Sequence, residues 1–232
     1  MSITLVSIYP TLLGTYGDGG NVMALQHRAR LHGLEVDVVQ VDPGDPVPEA
    51  ADLYVLGGGE DSAQTAAASA LRADGALKRA ADNGAAVLAI CAGYQLLGEY
   101  FPDSTSTPTP GLEILDIRTD RLPKRAVGEL AATAKDPLDQ ILTGYENHAG
   151  ATHLGPDATA LGVVRSGIGN GDGSEGATAG HVIGTYLHGP CLARNPQIAD
   201  LLLGWAAGTR LTFIEEPEVT QLREERLRTV LG

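Results

Sequence analysis

The stretch Ala85-Ala-Val-Leu-Ala-Ile-Cys91-Ala-Gly-Tyr-Gln-Leu-Leu-Gly98 decides the fold. Its first half is a short apolar run, typical of a buried strand, and its second half has a helical pattern. One cysteine stands at the junction, followed by the small residues Ala92 and Gly93. A sharp strand-to-helix turn presents a side chain at the edge of a sheet and tolerates only small neighbours. The stretch therefore predicts a nucleophile elbow at Cys91; the alternative is a buried cysteine that packs as a small hydrophobic residue.

Short apolar runs alternate with helical stretches on both sides of this elbow. We predict strands over 3–8, 34–41, 53–56, 85–90 and 181–187, and helices from Asn21, over 66–83, over 196–207 and from Pro217. This alternation indicates an α/β fold, a mostly parallel sheet with helices on both faces, whose chemistry lies at the carboxyl ends of the strands. Between these elements we expect short strands and turns over 112–165 and a glycine-rich, low-complexity loop over 166–180. The charged helix from Pro217 is typical of a solvated face.

Composition limits the function further. The 232 residues carry 16 Lys and Arg against 29 Asp and Glu, a net charge of −13, which excludes most nucleic-acid binders. Two cysteines are too few for a disulfide framework, and we find no signal peptide and no apolar run that would span a bilayer. We expect a cytoplasmic protein with one domain over 1–232: a motif-bearing core over 3–206 and a helical tail over 207–232.

A histidine follows the predicted strand 181–187, in Gly184-Thr-Tyr-Leu-His-Gly-Pro190. Carboxyl ends of parallel strands meet at one edge of a sheet, so His188 is a candidate acid or base for Cys91 despite their separation in sequence. The alternative is a histidine that serves only the structure of the strand end.

Three glycines, Gly57-Gly-Gly59, follow the strand over 53–56. Without side chains they let backbone N–H groups approach a ligand closely. We assign the oxyanion hole to the N–H groups of Gly58 and Ala92; the alternative is a plain tight turn.

The order of three motifs resembles that of class I glutamine amidotransferases. The motifs are Val55-Leu-Gly-Gly-Gly59, Ala89-Ile-Cys-Ala-Gly-Tyr-Gln95 and Thr185-Tyr-Leu-His-Gly-Pro190. The chain is most similar to the branch that contains the glutaminase domain of cobyric acid synthase. Within it, three further stretches resemble GatD, the glutaminase subunit family of lipid II isoglutaminyl synthase: Leu5-Val-Ser-Ile-Tyr-Pro10, Tyr16-Gly-Asp-Gly-Gly-Asn21 and Arg125-Ala-Val-Gly-Glu129.

This resemblance implies a flavodoxin-like fold and roles for single residues. Cys91 would attack the side-chain amide of glutamine, and His188 would protonate the departing ammonia and then activate water. Arg125 matches the arginine that binds glutamine, and Gln95 would line its pocket. The alternative for Arg125 is a solvated arginine in a basic surface cluster.

Two positions depart from the pattern of many class I members. Pro190 stands where a glutamate two residues after the histidine orients the imidazole, so the expected triad is reduced to a dyad. Glu146 is a conceivable substitute for that glutamate. Ala92 stands where relatives often have glycine, and it is small enough for the elbow.

The resemblance also implies a partner. Amidation of a carboxylate needs ATP, and the chain contains no Gly-x-x-x-x-Gly-Lys-[Ser/Thr] motif, so it is not expected to be the whole synthetase. The resemblance implies no cofactor or metal on this chain, and ATP and Mg²⁺ on a Mur-ligase-like subunit, MurT, in a heterodimer that amidates lipid II. Alternatives are a glutaminase for another acceptor, such as a corrinoid carboxylate, a non-catalytic binding module, and a cysteine peptidase on the same sheet.

Overall fold

The structure is a computed structural model that describes residues 2–232. The strands are β1 (Ser2–Ile8), β2 (Glu35–Val41), β3 (Leu53–Leu56), β4 (Ala86–Ile90), β5 (Tyr100–Pro102), β6 (Pro108–Pro110), β7 (Ile117–Ala134), β8 (Ile141–Leu154), β9 (Gly162–Ser166), β10 (Ser174–Glu175), β11 (Ala177–Ala179) and β12 (Val182–Thr185). The helices are α1 (Gly20–Leu31), α2 (Asp61–Asp74), α3 (Ala76–Asp82), α4 (Ala92–Leu96), α5 (Cys191–Arg194), α6 (Pro196–Ala206) and α7 (Pro217–Leu231).

The first sheet confirms the predicted α/β fold. Its strand order is β11-β12-β4-β3-β1-β2, and every neighbouring pair is parallel except β11 with β12. All residues of β3, β4 and β12 are buried, as expected for central strands covered on both faces. Their carboxyl ends lie at one edge of the sheet, where Gly57, Cys91 and the segment leading to His188 follow them.

A second, mostly antiparallel sheet corrects the expectation of short strands and turns over 112–165. There β7 has 18 residues and pairs with the 14 residues of β8 in one long hairpin. The alternation of apolar and polar residues that is typical of a strand is interrupted in β7. There the register shifts between Arg121 and Ala126, in a run that carries exposed cations. The sequence therefore predicted strand structure in this region but not its length.

The two sheets meet at the histidine motif. The N–H of His188 donates to the carbonyl of Tyr145 in β8 at 2.9 Å, and the N–H of Tyr145 donates to the carbonyl of His188 at 3.1 Å. The backbone of His188 is therefore fixed by the second sheet just after β12 ends.

Local differences from the predicted elements have simple causes. The helix predicted over 66–83 begins earlier and is divided into α2 and α3 by Gly75, which has a left-handed φ of 70°. The helix predicted from Asn21 begins one residue earlier, at Gly20, and the side chain of Asn21 accepts a hydrogen bond from the N–H of Leu192. On α7, Arg223 is buried and donates to the carbonyl of Ile141, so that helix is not solvated all round.

None of the helices in residues 2–232 has the length and hydropathy that crossing a bilayer requires.

Candidate active site

Cys91 lies at the turn between β4 and α4. Its φ of 53° and ψ of −105° are rarely adopted by a residue with a side chain, which indicates local strain at the elbow. The turn is tight, because a Cβ atom at Gly93 would lie 2.9 Å from the carbonyl oxygen of Gly57. The sharp turn predicted for this stretch is therefore present, and the Cys91 side chain, although buried, borders an open pocket.

His188 lies beside Cys91. A Cβ atom at Gly58 would be 2.9 Å from Cε1 of His188 and 3.4 Å from Cβ of Cys91, so both residues pack around that glycine. Nδ1 of the imidazole is 3.1 Å from Oδ1 of Asp18, whereas Nε2 is buried and has no oxygen or nitrogen partner within residues 2–232. Because the carboxylate accepts the hydrogen bond from Nδ1, Nε2 is the nitrogen available to Cys91.

The surroundings of His188 favour its charged form. Burial by itself would lower the pKa of the imidazole, but the hydrogen bond with Asp18 and the interaction with Cys91 raise the pKa to about 10. At neutral pH the ring is therefore an imidazolium, which can donate a proton to a leaving group.

Asp18 is a member of this cluster that sequence reasoning missed. It is buried in the glycine-rich turn over 14–20, and its second oxygen, Oδ2, accepts the N–H of Gly58 at 2.8 Å. A carboxylate in a glycine-rich turn just beyond the carboxyl end of β1 was the available signal. Its contact with His188 spans 170 positions of sequence, which no local pattern reveals.

Glu146, the conceivable substitute for an orienting glutamate, does not contact His188. Its carboxylate accepts the N–H groups of Ile168 and Gly169 at 2.8 and 2.9 Å, and it lies 3.4 Å from Nε2 of His148. The prediction for Glu146 is therefore wrong, because this side chain points into the buried face of β8 and fixes the glycine-rich loop instead.

The two N–H groups predicted to form the oxyanion hole, those of Gly58 and Ala92, differ in whether they are free to bind a ligand. The N–H of Gly58 is taken by Asp18, so in this structure it does not serve as a donor to the pocket, contrary to the sequence prediction. Gly59 and Ala92 border the pocket beside Cys91. Neither of their N–H groups has an acceptor in the described part of the chain.

Arg125 forms part of the wall of the pocket, which is also lined by residues of α2. Its Nε donates to Oδ1 of Asn147 at 2.6 Å and one terminal nitrogen donates to the phenol oxygen of Tyr16 at 3.3 Å. No carboxylate pairs with it among residues 2–232, so its charge is available to an anionic ligand. Arg125 thus borders the same pocket as Cys91.

Gln95 also borders the pocket, but its amide is engaged within the protein. Its oxygen accepts a hydrogen bond from Gln64 at 2.9 Å, and its nitrogen donates to Tyr186 at 3.2 Å. In this structure the side chain holds Gln64 in place.

Within residues 2–232, no group of three or more His, Cys, Asp or Glu side chains is arranged to hold a metal ion.

Known proteins are similar to this chain over most of its length. Residues 4–196 match the CobB/CobQ-like glutamine amidotransferase domain. The chain is 34% identical over 233 residues to the lipid II isoglutaminyl synthase (glutamine-hydrolyzing) subunit GatD of Staphylococcus aureus, covering 99% of this chain and 94% of that protein. It is 35% identical over 202 residues to the subunit of the same name from Streptococcus pneumoniae, covering 85% of this chain and 77% of that protein.

A solved structure supports the fold independently. A crystal structure of a glutamine amidotransferase superposes with a TM-score of 0.60 at 18% identity, covering 87% of this chain and 98% of the other. The family match and the strand-end cysteine and histidine agree, and the chain belongs to the CobB/CobQ-like glutamine amidotransferase domain family.

Proposed function

We propose that this protein hydrolyses L-glutamine to glutamate and ammonia, and supplies the ammonia for amidation of the D-glutamate α-carboxylate of lipid II to D-isoglutamine. The buried cluster of Asp18, Cys91 and His188 beside an open pocket carries the proposal, because it supplies the nucleophile, proton donor and orienting carboxylate of an amide hydrolase. The GatD relatives, which match nearly the whole chain, support the choice of lipid II.

The first step is attack of the Cys91 thiolate on the side-chain amide carbon of glutamine. The carbonyl oxygen becomes an oxyanion, for which the free N–H groups of Ala92 and Gly59 are the donors. His188 gives its Nε2 proton to the amide nitrogen as the C–N bond breaks, so ammonia leaves and a thioester with glutamate remains.

The second step returns the enzyme to its starting state. Neutral His188 takes a proton from water, which attacks the thioester; glutamate departs and the thiolate reforms beside an imidazolium. Asp18 keeps the Nδ1 proton in place through both steps, so Nε2 stays directed at the reacting atoms. Asp18 is therefore a positioning residue for His188.

Substrate binding is assigned to Arg125. Its guanidinium can hold the α-carboxylate of glutamine in bidentate fashion. Gln95 and Gln64, which are joined by a hydrogen bond between their side chains, both line the pocket and help to determine its shape.

The acceptor chemistry belongs to a partner. We assign ATP and Mg²⁺ to a Mur-ligase-like subunit, MurT, in a cytoplasmic heterodimer, with lipid II reached through that subunit. Ammonia passed directly between subunits stays unprotonated and nucleophilic, whereas in bulk water at neutral pH it becomes ammonium.

The test uses the complex with MurT, lipid II, ATP and glutamine labelled with ¹⁵N in its side-chain amide. We expect ¹⁵N in the isoglutamine of the lipid product, detected by mass spectrometry. With Cys91→Ala the label should not transfer, while added ammonium should restore amidation. Label transfer by Cys91→Ala, or no ammonia from glutamine in the intact complex, would contradict the proposal.

A further inference from the structure

We define the rim of the pocket as Tyr16, Glu60 and Arg125. There the carboxylate of Glu60 and the guanidinium of Arg125 lie on either side of the Tyr16 phenol. The phenol oxygen of Tyr16 accepts a hydrogen bond from Arg125 at 3.3 Å and donates one to Oε1 of Glu60 at 3.3 Å. The Tyr16 ring lies 4.9 Å from that of His188, so this residue joins the rim to the reactive cluster. An anion and a cation are therefore held a few ångströms apart beside Cys91.

The carboxylate of Glu60 differs from the other carboxylates around this pocket. Asp61 lies 3.5 Å from Arg121, and Asp18 is engaged by His188 and Gly58. Glu60 has no cationic partner in residues 2–232, and although it precedes α2 it makes no capping hydrogen bond with its side chain. Its charge is thus not used for ion pairing or for helix capping.

A free amino acid fits such a pair of charges. Its α-ammonium and α-carboxylate are attached to the same carbon, so a site that binds both needs one anionic and one cationic group close together. If Arg125 takes the carboxylate, an unbalanced ammonium would otherwise be desolvated in the pocket without a partner, which costs binding free energy.

We infer that Glu60 binds the α-ammonium of glutamine. Together with Arg125, it selects a free α-amino acid over an amide that lacks the amino group and over a glutamine residue within a peptide. The inference rests on the proposed function, since it names the substrate group that Glu60 recognises in that same pocket.

The test compares two reagents that alkylate the nucleophile with loss of N₂. One is 6-diazo-5-oxo-L-norleucine; the other is 6-diazo-5-oxohexanoate, which lacks the α-amino group. We expect wild type to be alkylated at Cys91 at least about tenfold faster by the first, as measured by mass spectrometry, because a charge-assisted hydrogen bond is lost with the second. Glu60→Gln should reduce this ratio to about two or less, since it keeps the shape and removes the charge.

Asp61→Asn is the matched control, because it neutralises the adjacent carboxylate and should keep the wild-type ratio. The inference is overturned if wild type does not discriminate between the reagents, if Glu60→Gln retains the ratio, or if Asp61→Asn alone loses it. Failure of the proposed function looks different: neither diazoketone would alkylate Cys91 faster than iodoacetamide does, and no ammonia would be released from glutamine. That result would remove the inference as well.

Discussion

The reactive cluster (Asp18, Cys91 and His188) and the rim contrast in how they are held. The members of the cluster are at most 5% exposed and lie at the edge of the parallel sheet, where packing and buried hydrogen bonds determine their geometry. On the rim, Glu60 and Arg125 are exposed and are connected through Tyr16 by hydrogen bonds of 3.3 Å. The contrast implies that changes in the cluster reduce kcat strongly, whereas changes at the rim weaken substrate binding moderately.

The largest expected effect is that of Cys91→Ala. Removing the nucleophile should lower glutamine hydrolysis by at least about 10⁴-fold, measured as ammonia release in the complex. Cys191→Ala is the matched control, because burial raises the pKa of that thiol and it lies in α5, away from the pocket. Comparable losses in both variants would mean that the cysteine effect is structural and would remove the distinction between cluster and rim.

Asp18→Asn should come next, with a fall in kcat of about 10² to 10⁴-fold and little change in KM. The amide keeps the shape of the carboxylate but no longer stabilises the imidazolium of His188 or fixes its Nδ1 proton. Steady-state kinetics measure both constants. If KM alone rises, Asp18 contacts the substrate and does not act through His188.

The effect of Asp18→Asn on thermal stability should depend on pH. The pKa of His188 in the folded protein is about 10, above its ordinary value of 6.5, so its stabilising contribution is fully present below pH 6.5 and is lost as the pH rises through about 10. The difference in Tm between wild type and Asp18→Asn should therefore shrink across that window in thermal denaturation experiments. A difference that stays constant from pH 6.5 to 10 would contradict the Asp18–His188 pairing.

The reactive cluster was partly predictable from sequence. Apolar runs that end in glycine or a single polar residue predicted β3, β4 and the strand before His188, and parallel strands bring the residues beyond their carboxyl ends to one edge of the sheet. Asp18 was missed because its role depends on a contact between distant segments. Gly58 was misassigned for the same reason, since Asp18 takes its N–H.

The rim was less predictable. Arg125 was assigned to the pocket by resemblance, whereas Tyr16, although part of a quoted motif, and Glu60, which directly follows Gly57-Gly-Gly59, were given no role. Arg125 reaches them from the long β7–β8 hairpin, whose register shift between Arg121 and Ala126 interrupts the strand pattern. Sequence therefore predicted the sheet that holds the reactive groups better than the hairpin that completes the pocket.

Arg125→Ala tests the rim and should raise KM for glutamine about tenfold to a hundredfold with kcat changed by less. The guanidinium binds the α-carboxylate equally in the ground state and the transition state, so its loss affects binding. Lys124→Ala removes a neighbouring exposed cation and is the control for a general effect of charge. An equal rise of KM in the two variants would favour the interpretation of Arg125 as a solvated surface residue.

The smallest effect on activity is expected for Glu146→Gln. Its buried carboxylate accepts the N–H groups of Ile168 and Gly169, and an amide can accept only with its oxygen, so one N–H loses its partner. We expect a loss of about 1–3 kcal/mol in the free energy of unfolding, measured by urea denaturation. Glu129→Gln, in a partly exposed pair with Arg194, should cost less than about 1 kcal/mol and is the control.

The kcat of Glu146→Gln and its pH profile should match wild type, because Asp18 holds His188. If Glu146→Gln instead lowers kcat as Asp18→Asn does, the orientation of the histidine depends on the second sheet as well, and the geometry of the reactive cluster is not determined by the edge of the parallel sheet alone.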